Sequence, residues 1–352
     1  MECMMSLQSA VTQKAWLAGF KHSKGFRFGS PCRNAFRELN VSLKAESGVA
    51  AESITTQRKK RPQNKDGEFY VDTRCIECGA CCWMAQSTFK RIDEQCAVYD
   101  QPSCAEERLE ALQAMISCPT ASIHSKSPAA DILQAQMSLP LPINKKTLPG
   151  VYHCGYHSIK SNGATPYLIV HPKGNILVGS PRYSECLAYY IEHLGGARYM
   201  FLTRGDGAAD HARWAKRLRC DRIMHIYEVG MSTADIELML EGQGPWSIFS
   251  DFDIIFTPGH SKGSVSLFYK PLKALFTGDL LIVSTDSKLD VLEECNSLAA
   301  KQQLDCIRHL LDLDFQWILP GHGRRIEFKD SKQKNYALEK LLARENVIHQ
   351  LV

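Results

Sequence analysis

Seven of the fourteen cysteines in this 352-residue sequence lie between Cys75 and Cys118. Three of them, Cys75, Cys78 and Cys81, stand three residues apart in the stretch CIECGAC, and Cys118 begins a Cys-Pro pair farther along. Closely spaced thiolates on one loop can bind three irons of a cubane, and the glycine between them lets the backbone approach the sulfides. The fourth iron needs one distant thiolate. The spacing therefore predicts one [4Fe-4S] cluster held by these four cysteines.

The surrounding segment, from about residue 69 to residue 123, resembles single-cluster [4Fe-4S] ferredoxins. Its ending SCPTASI is similar to their Cys-Pro-x-x-Ala-Ile ending. Two-cluster ferredoxins carry a further cysteine at the position where this chain has Ala85, so no second cluster is expected. Four thiolates also suit tetrahedral zinc, which is the alternative. The third closely spaced cysteine and the distant Cys-Pro pair favour iron and sulfur.

Three cysteines of the same segment, Cys82, Cys96 and Cys104, remain outside the predicted ligand set. We interpret them as packing thiols, with an optional link between Cys96 and Cys104, because the cubane already has four ligands. An exchange of one of them for a ligand stays open.

A second set of chemistry-bearing side chains, all His or Asp, lies in the C-terminal half. It comprises Asp206, Asp210, His211, His260, Asp279 and His322. Imidazole and carboxylate groups suit zinc and iron. With the motifs TPGH, TGD and PGH, the order and spacing resemble the metallo-β-lactamase superfamily over about residues 150–325. A ferredoxin-like segment fused to such a domain is expected to be of the plant or cyanobacterial type.

The resemblance implies an αββα sandwich whose strand-end loops hold one or two metals. It assigns Asp210, His211 and His322 to the second metal site, Asp279 to the bridging carboxylate, and His260 to the first site.

The superfamily's His-x-His-x-Asp-His signature is not intact in this chain. Counting back from Asp210, the two expected histidines are replaced by Ala208 and Asp206, or by Asp206 and Arg204 if the loop is two residues longer. Asp206 offers an oxygen ligand, whereas an arginine cannot coordinate a metal. We therefore expect one divalent metal, zinc or iron, and do not expect a second.

Short apolar stretches with strand character must position these side chains. The expected strands are 167–170, 175–178, 199–203, 222–227, 254–257, 265–269, 274–277 and 316–319, with a helix at about 210–219. Polar clusters follow several of these strands, which gathers His and Asp at one rim of a sheet. The predicted fold class is α+β: a small ferredoxin-like domain followed by the sandwich.

Composition and motif positions divide the chain into six segments. They are a transit peptide (1–45), a linker (46–66), the ferredoxin-like domain (67–125), a second linker (126–149), the metallo-β-lactamase-like domain (150–330) and a C-terminal helix (331–352).

The formal net charge of +4 comes from the N-terminal segment. Residues 1–45 hold seven basic and two acidic residues, which leaves 35 basic against 36 acidic residues elsewhere. Such an acid-poor leader is typical of organelle import, so we expect the chloroplast stroma; a disordered tail without an address is the alternative. We expect neither a nucleic-acid nor a membrane partner, because the remaining charge is balanced and no apolar run reaches about 18 residues.

Three functions are compatible with these motifs. In a metal-dependent hydrolase, a metal-bound hydroxide oriented by Asp210 would attack an ester, thioester or amide. In a redox enzyme, the cluster would feed electrons to an iron site and have an electron-transfer partner. In a non-catalytic scaffold the metal site is degenerate, as Arg204 suggests. Both enzymatic hypotheses imply a small-molecule substrate, and Arg204, Lys262 and Arg324 would favour an anionic group unless they are simply solvated.

Overall fold

The computed structural model describes residues 58–127, 131–284, 287–291 and 297–350. The predicted transit peptide and residues 46–57 of the first predicted linker lie outside the described residues. Within the described part of the chain, no helix is both long and apolar enough to span a bilayer.

The cysteine-rich segment folds into two small antiparallel strand pairs and two helices. Strand β1 (Phe69–Val71) pairs with β4 (Ile123–Ser125), and β2 (Phe89–Ile92) pairs with β3 (Gln95–Val98). The short helix α1 (Ala80–Met84) contains the third cysteine of the motif, and α2 (Ala105–Ser117) ends directly before Cys118. Helix α2 buries Ala111, Leu112 and Ile116 at helical spacing. Because this one apolar face packs on the core, the orientation of the helix determines where Cys118 lies.

The first predicted linker is wrong for its described part, residues 58–66. Arg61 is 5% exposed and donates hydrogen bonds to the carbonyl oxygen of Cys96 at 2.6 Å and to that of Gln95 at 2.9 Å. The Asn64 side chain donates to the carbonyl oxygen of Val71 and accepts from its N–H. Polar side chains here satisfy backbone groups of the strands, so a stretch without apolar periodicity is nevertheless part of the folded unit.

The remainder of the chain is built on two larger sheets. The first sheet contains β5 (Leu141–Asn144), β6 (Leu148–His153), β7 (Tyr167–Ile169), β8 (Ile176–Val178), β9 (Tyr199–Phe201), β10 (Asp221–His225) and β11 (Leu238–Leu240). Its strands follow one another in sequence order, antiparallel from β5 to β8 and parallel from β8 to β11.

The second sheet has the order β12-β13-β14-β15-β18-β19. Its strands are β12 (Trp246–Ile248), β13 (Phe252–Phe256), β14 (Val265–Tyr269), β15 (Ala274–Gly278), β18 (Trp317–Pro320) and β19 (Ile326–Glu327), and a separate pair is formed by β16 (Ile282–Val283) and β17 (Leu289–Asp290). One apolar core joins Val178 and Phe201 of the first sheet to Ile254, Leu267 and Phe276 of the second, so the sheets pack face to face.

Helices cover the outer face of each sheet. Helices α3 (Ile132–Met137), α4 (Glu185–His193) and α5 (His211–Leu218) pack on the first sheet, and α6 (Ser297–His309) and α7 (Ser331–Gln350) pack on the second. The predicted α+β class and the αββα order of layers are thereby confirmed. The terminal helix α7 lies inside the range predicted for it.

The second predicted linker, residues 126–149, is also wrong, because it contains α3, the edge strand β5 and the start of β6. Pro142 lies in β5, and an edge strand accepts proline since its missing N–H need not pair. The cysteine-rich segment and the sandwich share one apolar core, which includes Phe69 and Leu112 of the former and Leu168 and Trp214 of the latter. The two parts therefore pack as one body.

Candidate functional site

The four predicted cluster ligands line one small cavity of about 20 Å³ between α1, α2 and the loop before α1. Glu77 and Gly79 have positive φ angles of 62° and 70°, which turns the loop back on itself around Cys78. Cys118 enters the same cavity from the end of α2, and Cys96 of β3 lines it as a fifth cysteine. The sequence prediction thus finds its four residues together.

Hydrogen bonds in this cavity suit metal-bound thiolates. The Ser122 N–H donates to Cys118 Sγ at 3.3 Å, and the Thr120 hydroxyl lies 3.6 Å from the same sulfur. Burial raises the pKa of Cys78 to about 12, although a backbone hydrogen bond from Ala80 opposes the shift. A hydrogen bond with Cys96, together with burial, raises the pKa of Cys75 well above its usual value.

These thiols are consequently neutral by themselves and would be deprotonated only when iron supplies compensating positive charge. The donor set and the hydrogen bonds fit a [4Fe-4S] cluster.

The second candidate site lies at the rim of the sandwich, where loops follow β9, β13, β15 and β18. Arg204, only 5% exposed, occupies its centre. One guanidinium nitrogen lies 2.8 Å from Asp279 Oδ2, and the other lies 3.0 Å from Asp206 Oδ2 and donates to His260 Nε2. The guanidinium therefore uses the carboxylate and imidazole lone pairs that a metal ion would need.

His322 completes this rim site. Its Nδ1 lies 2.7 Å from Asp279 Oδ1, and its Nε2 lies 3.1 Å from the carbonyl oxygen of Asn162. Since both partners only accept hydrogen bonds, both ring nitrogens donate and the imidazole is protonated.

The pKa values agree with that assignment. Burial alone would lower the pKa of His322, but the hydrogen bond and charge of Asp279 raise it above its usual value. Burial likewise would raise the pKa of Asp279, yet His322 and Arg204 hold it below its usual value.

Asp210 and His211, predicted as metal ligands, do not join this cluster. Asp210 accepts hydrogen bonds from Lys160 Nζ and from the Tyr183 N–H, each at 2.8 Å. The His211 ring donates from Nε2 to the Ser232 carbonyl oxygen and accepts at Nδ1 from Arg222. Both side chains are therefore already hydrogen-bonded to a lysine or an arginine and to the backbone of the protein.

The rim residues are not arranged in this structure to hold the divalent metal that the sequence predicts. Among the described residues, the one group of three or more His, Cys, Asp or Glu side chains whose ligand atoms all lie within 4.8 Å is Cys81, Cys82 and Cys96. Because Arg204 cannot coordinate and already binds Asp279, Asp206 and His260, the rim residues do not fit a metal ion. The role predicted for Asp210, orienting a metal-bound hydroxide, has no support in this geometry.

One short loop connects the two sites. Gly163 has a φ of 85°, and a Cβ built on it would lie 2.6 Å from Cys78 Cβ and 3.1 Å from its Sγ. Asn162, the preceding residue, accepts the hydrogen bond from His322. A backbone of two residues thus separates a predicted cluster ligand from the rim site. Sequence reasoning missed it; the only signal was the Asn-Gly dipeptide typical of a turn.

A buried histidine pair, His153 and His157, is hydrogen-bonded to this loop. His157 Nδ1 donates to the Gly163 carbonyl oxygen, and its Nε2 lies 2.8 Å from His153 Nε2. Burial lowers both pKa values, that of His157 to about 4, so both rings are neutral. Trp83 of α1 packs against His153, and the Arg325 guanidinium lies over the Trp83 ring. Nothing in the sequence distinguished these histidines from ordinary ones.

Comparison with known families confirms the iron-sulfur segment. Residues 71–125 match the family described as the 4Fe-4S single cluster domain of Ferredoxin I. No curated protein sequence matches the chain. The match locates the iron-sulfur domain between β1 and β4.

Several solved structures are similar to the sandwich. A protein crystallised in a di-iron-bound form, TTHA1623, is 18% identical, covers 49% of this chain and 93% of its own, and has a TM-score of 0.41. A metallo-β-lactamase family protein from Thermus thermophilus is 15% identical over 52% of this chain and 75% of its own, with a TM-score of 0.40. An archaeal metallo-β-lactamase superfamily protein from Sulfolobus tokodaii is 14% identical over 50% and 79%, with a TM-score of 0.37. At these identities and scores the likeness carries no argument about the site, which is assigned from its own residues.

Proposed function

We propose that this chain is a redox protein that uses single electrons from a [4Fe-4S] cluster to act on a small molecule at the metal-free rim site. The observation that carries the proposal is the Asn162-Gly163 loop, which touches the cluster ligand Cys78 on one side and His322 on the other. A cluster bound here would supply electrons one at a time.

The short path supports direct electron exchange. Consecutive Cα atoms are about 3.8 Å apart, so the Cys78 sulfur and the His322 ring lie on the order of 10 Å from each other through two residues. Ser161 and Thr165 of the same loop region line a small cavity of about 30 Å³ together with Arg204 and Asp279. The space holds a water-sized group, so a larger molecule would contact the rim from outside.

The rim residues offer a positioned proton donor. Arg204 and the protonated His322 are balanced by the carboxylates of Asp279 and Asp206, so the four side chains together carry no net charge. A bound molecule that takes the place of the Asn162 carbonyl oxygen would accept a hydrogen bond from His322 Nε2, which can donate its proton as negative charge develops. The hydrolase hypothesis would require a metal-bound hydroxide, and Arg204 takes the lone pairs that would hold that metal.

The test uses full-length protein purified without oxygen. The cluster is reduced with dithionite, excess reductant is removed, and the return of visible absorbance is followed with nitrite, hydroxylamine, hydrogen peroxide and quinones as acceptors. We expect at least one acceptor to reoxidise the wild type at least tenfold faster than His322→Ala. The matched control, His193→Ala, alters an exposed histidine on α4 and should behave as the wild type.

Two other outcomes would contradict the proposal. Hydrolysis of nitrophenyl esters, thioesters or amides that depends on added zinc, iron or manganese would support the hydrolase instead. Equal reoxidation rates in the wild type and His322→Ala with every acceptor, without hydrolysis, would support the scaffold.

We also propose that residues 1–45 direct import into a plastid, where a reduced iron-sulfur protein finds a suitable compartment. The support is the charge asymmetry of the leader. A fluorescent fusion should enter plastids and lose the leader, and an uncleaved protein in the cytosol would contradict this address.

A further inference from the structure

Two cysteines outside the predicted ligand set meet beside the cluster cavity. Cys82 belongs to α1 and Cys96 to β3, and their Sγ atoms lie 3.0 Å apart. Both are buried, with 6% and 2% of their surface exposed. The optional link between Cys96 and Cys104 is not formed: both thiols are free, and Cys104 is exposed at the start of α2.

The position of Cys96 joins this pair to the cluster site. Cys96 lines the cavity together with the four predicted ligands. The sulfurs of Cys81, Cys82 and Cys96 all lie within 4.8 Å of one another. Both members of the pair therefore lie next to the predicted ligand Cys81.

We propose that Cys82 and Cys96 form a redox-active dithiol-disulfide pair that exchanges electrons through the adjacent cluster. The gap between the sulfurs closes to a covalent S–S bond with a shift of about 1 Å, which side-chain rotation can supply. Reduction breaks the S–S bond and adds two electrons and two protons to give two thiols. A cluster held by Cys75, Cys78, Cys81 and Cys118 would supply these electrons one at a time from a low-potential one-electron donor, and the protons come from solvent.

This inference goes beyond the rim site and does not depend on it. A cluster that passes single electrons to a neighbouring disulfide couples one-electron and two-electron chemistry. The substrate classes of the pair are thus a one-electron donor on one side and, on the other, a disulfide that is reduced to two thiols as Cys82 and Cys96 form their disulfide again.

Electron counting tests the proposal on full-length protein prepared without oxygen. The protein is oxidised with diamide, desalted and titrated with dithionite while visible absorbance reports the cluster. The wild type should accept about three electrons, one for the cluster and two for the disulfide, and Cys82→Ser should accept about one. The matched control Cys104→Ser should accept about three. A wild type that accepts about one electron with an intact cluster would overturn the proposal.

Kinetics test the route. After about two electrons per chain are added, the cluster absorbance of the oxidised wild type should fall and then recover as electrons pass to the disulfide. In Cys82→Ser the fall should persist. A persistent fall in the wild type would refute transfer through the cluster.

Peptide mass spectrometry provides a reading that needs no variant. Alkylation of the oxidised wild type followed by digestion should recover a peptide linked through Cys82 and Cys96, and dithionite treatment should remove the link. Absence of the linked peptide after oxidation would overturn the proposal even if Cys82→Ser or Cys96→Ser failed to assemble the cluster.

Discussion

Replacing Arg182 by methionine is expected to lower the reduction potential of the cluster. The Arg182 guanidinium belongs to the sandwich but donates hydrogen bonds to the carbonyl oxygens of Ile116 at 2.8 Å and of Cys118 at 3.4 Å. It therefore caps the end of α2 and places a positive charge next to a cluster ligand. Because an added electron makes the cluster more negative, this charge favours the reduced form.

The magnitude follows from Coulomb's law. At roughly 7 Å between the guanidinium and the cluster, and an effective dielectric constant of about 20, the attraction is about 2.4 kcal/mol. For a one-electron couple this corresponds to about 100 mV. The loss of two hydrogen bonds at the helix end should also reduce the free energy of unfolding by about 1–3 kcal/mol.

A potentiometric titration followed by visible absorbance or electron paramagnetic resonance measures the shift. Arg182→Lys, which keeps the charge, should retain most of the wild-type potential. Arg213→Met removes an exposed arginine on α5 and serves as the control. The reasoning fails if Arg182→Met, with a full complement of iron and sulfide, has the potential of the wild type.

Three further changes test other parts of the structure. Cys78→Ser should lose most of the iron and sulfide, because a cubane lacking one of three closely spaced ligands is poorly held; full retention in an elemental assay would exclude this residue as a ligand. Gly163→Ala should reduce cluster content severalfold, since its Cβ would meet Cys78, whereas Gly196→Ala shares the positive φ but has no neighbour within 4 Å and should keep the cluster. Arg204→Met should lower the free energy of unfolding by about 1–3 kcal/mol, because the buried Asp279 loses one of its two positive partners and keeps only His322. Because folding lowers the pKa of Asp279, its ionised carboxylate stabilises the folded state at pH values above its usual pKa, and this stability is lost as the pH falls through the folded pKa. In Arg204→Met the folded pKa should be higher, so the loss of stability should occur at higher pH. Identical acid unfolding of the two proteins would refute the pairing.

The meeting of the four predicted ligands in one cavity was predictable because most of the information is local. Three cysteines lie within seven residues, and the last ligand is placed by a helix whose apolar stripe is visible in the sequence. The strands of the sandwich were equally predictable, since buried strands read as short apolar runs bounded by turns, whereas the αββα order of its layers was implied by the family resemblance. The sequence did not show that residues 58–66 belong to the folded unit, because polar side chains that bind backbone groups, and not a periodic apolar pattern, hold them there.

The rim site could not be predicted because its geometry depends on distant partners. His211 occupies the expected position in the motif order, but Arg222 and the Ser232 carbonyl hold its ring nitrogens. Asp210 meets Lys160, fifty residues earlier in the chain. Motif spacing shows which residues come near one rim, and only the fold shows whether a metal or a guanidinium lies between them.

The most direct test of the account is the elemental composition of full-length protein purified without oxygen and passed over a chelating resin. The account predicts about four irons and about four acid-labile sulfides per chain, with no further zinc, iron or manganese, because Arg204 fills the rim site. An additional equivalent of metal that resists chelation and disappears in His322→Ala would contradict it.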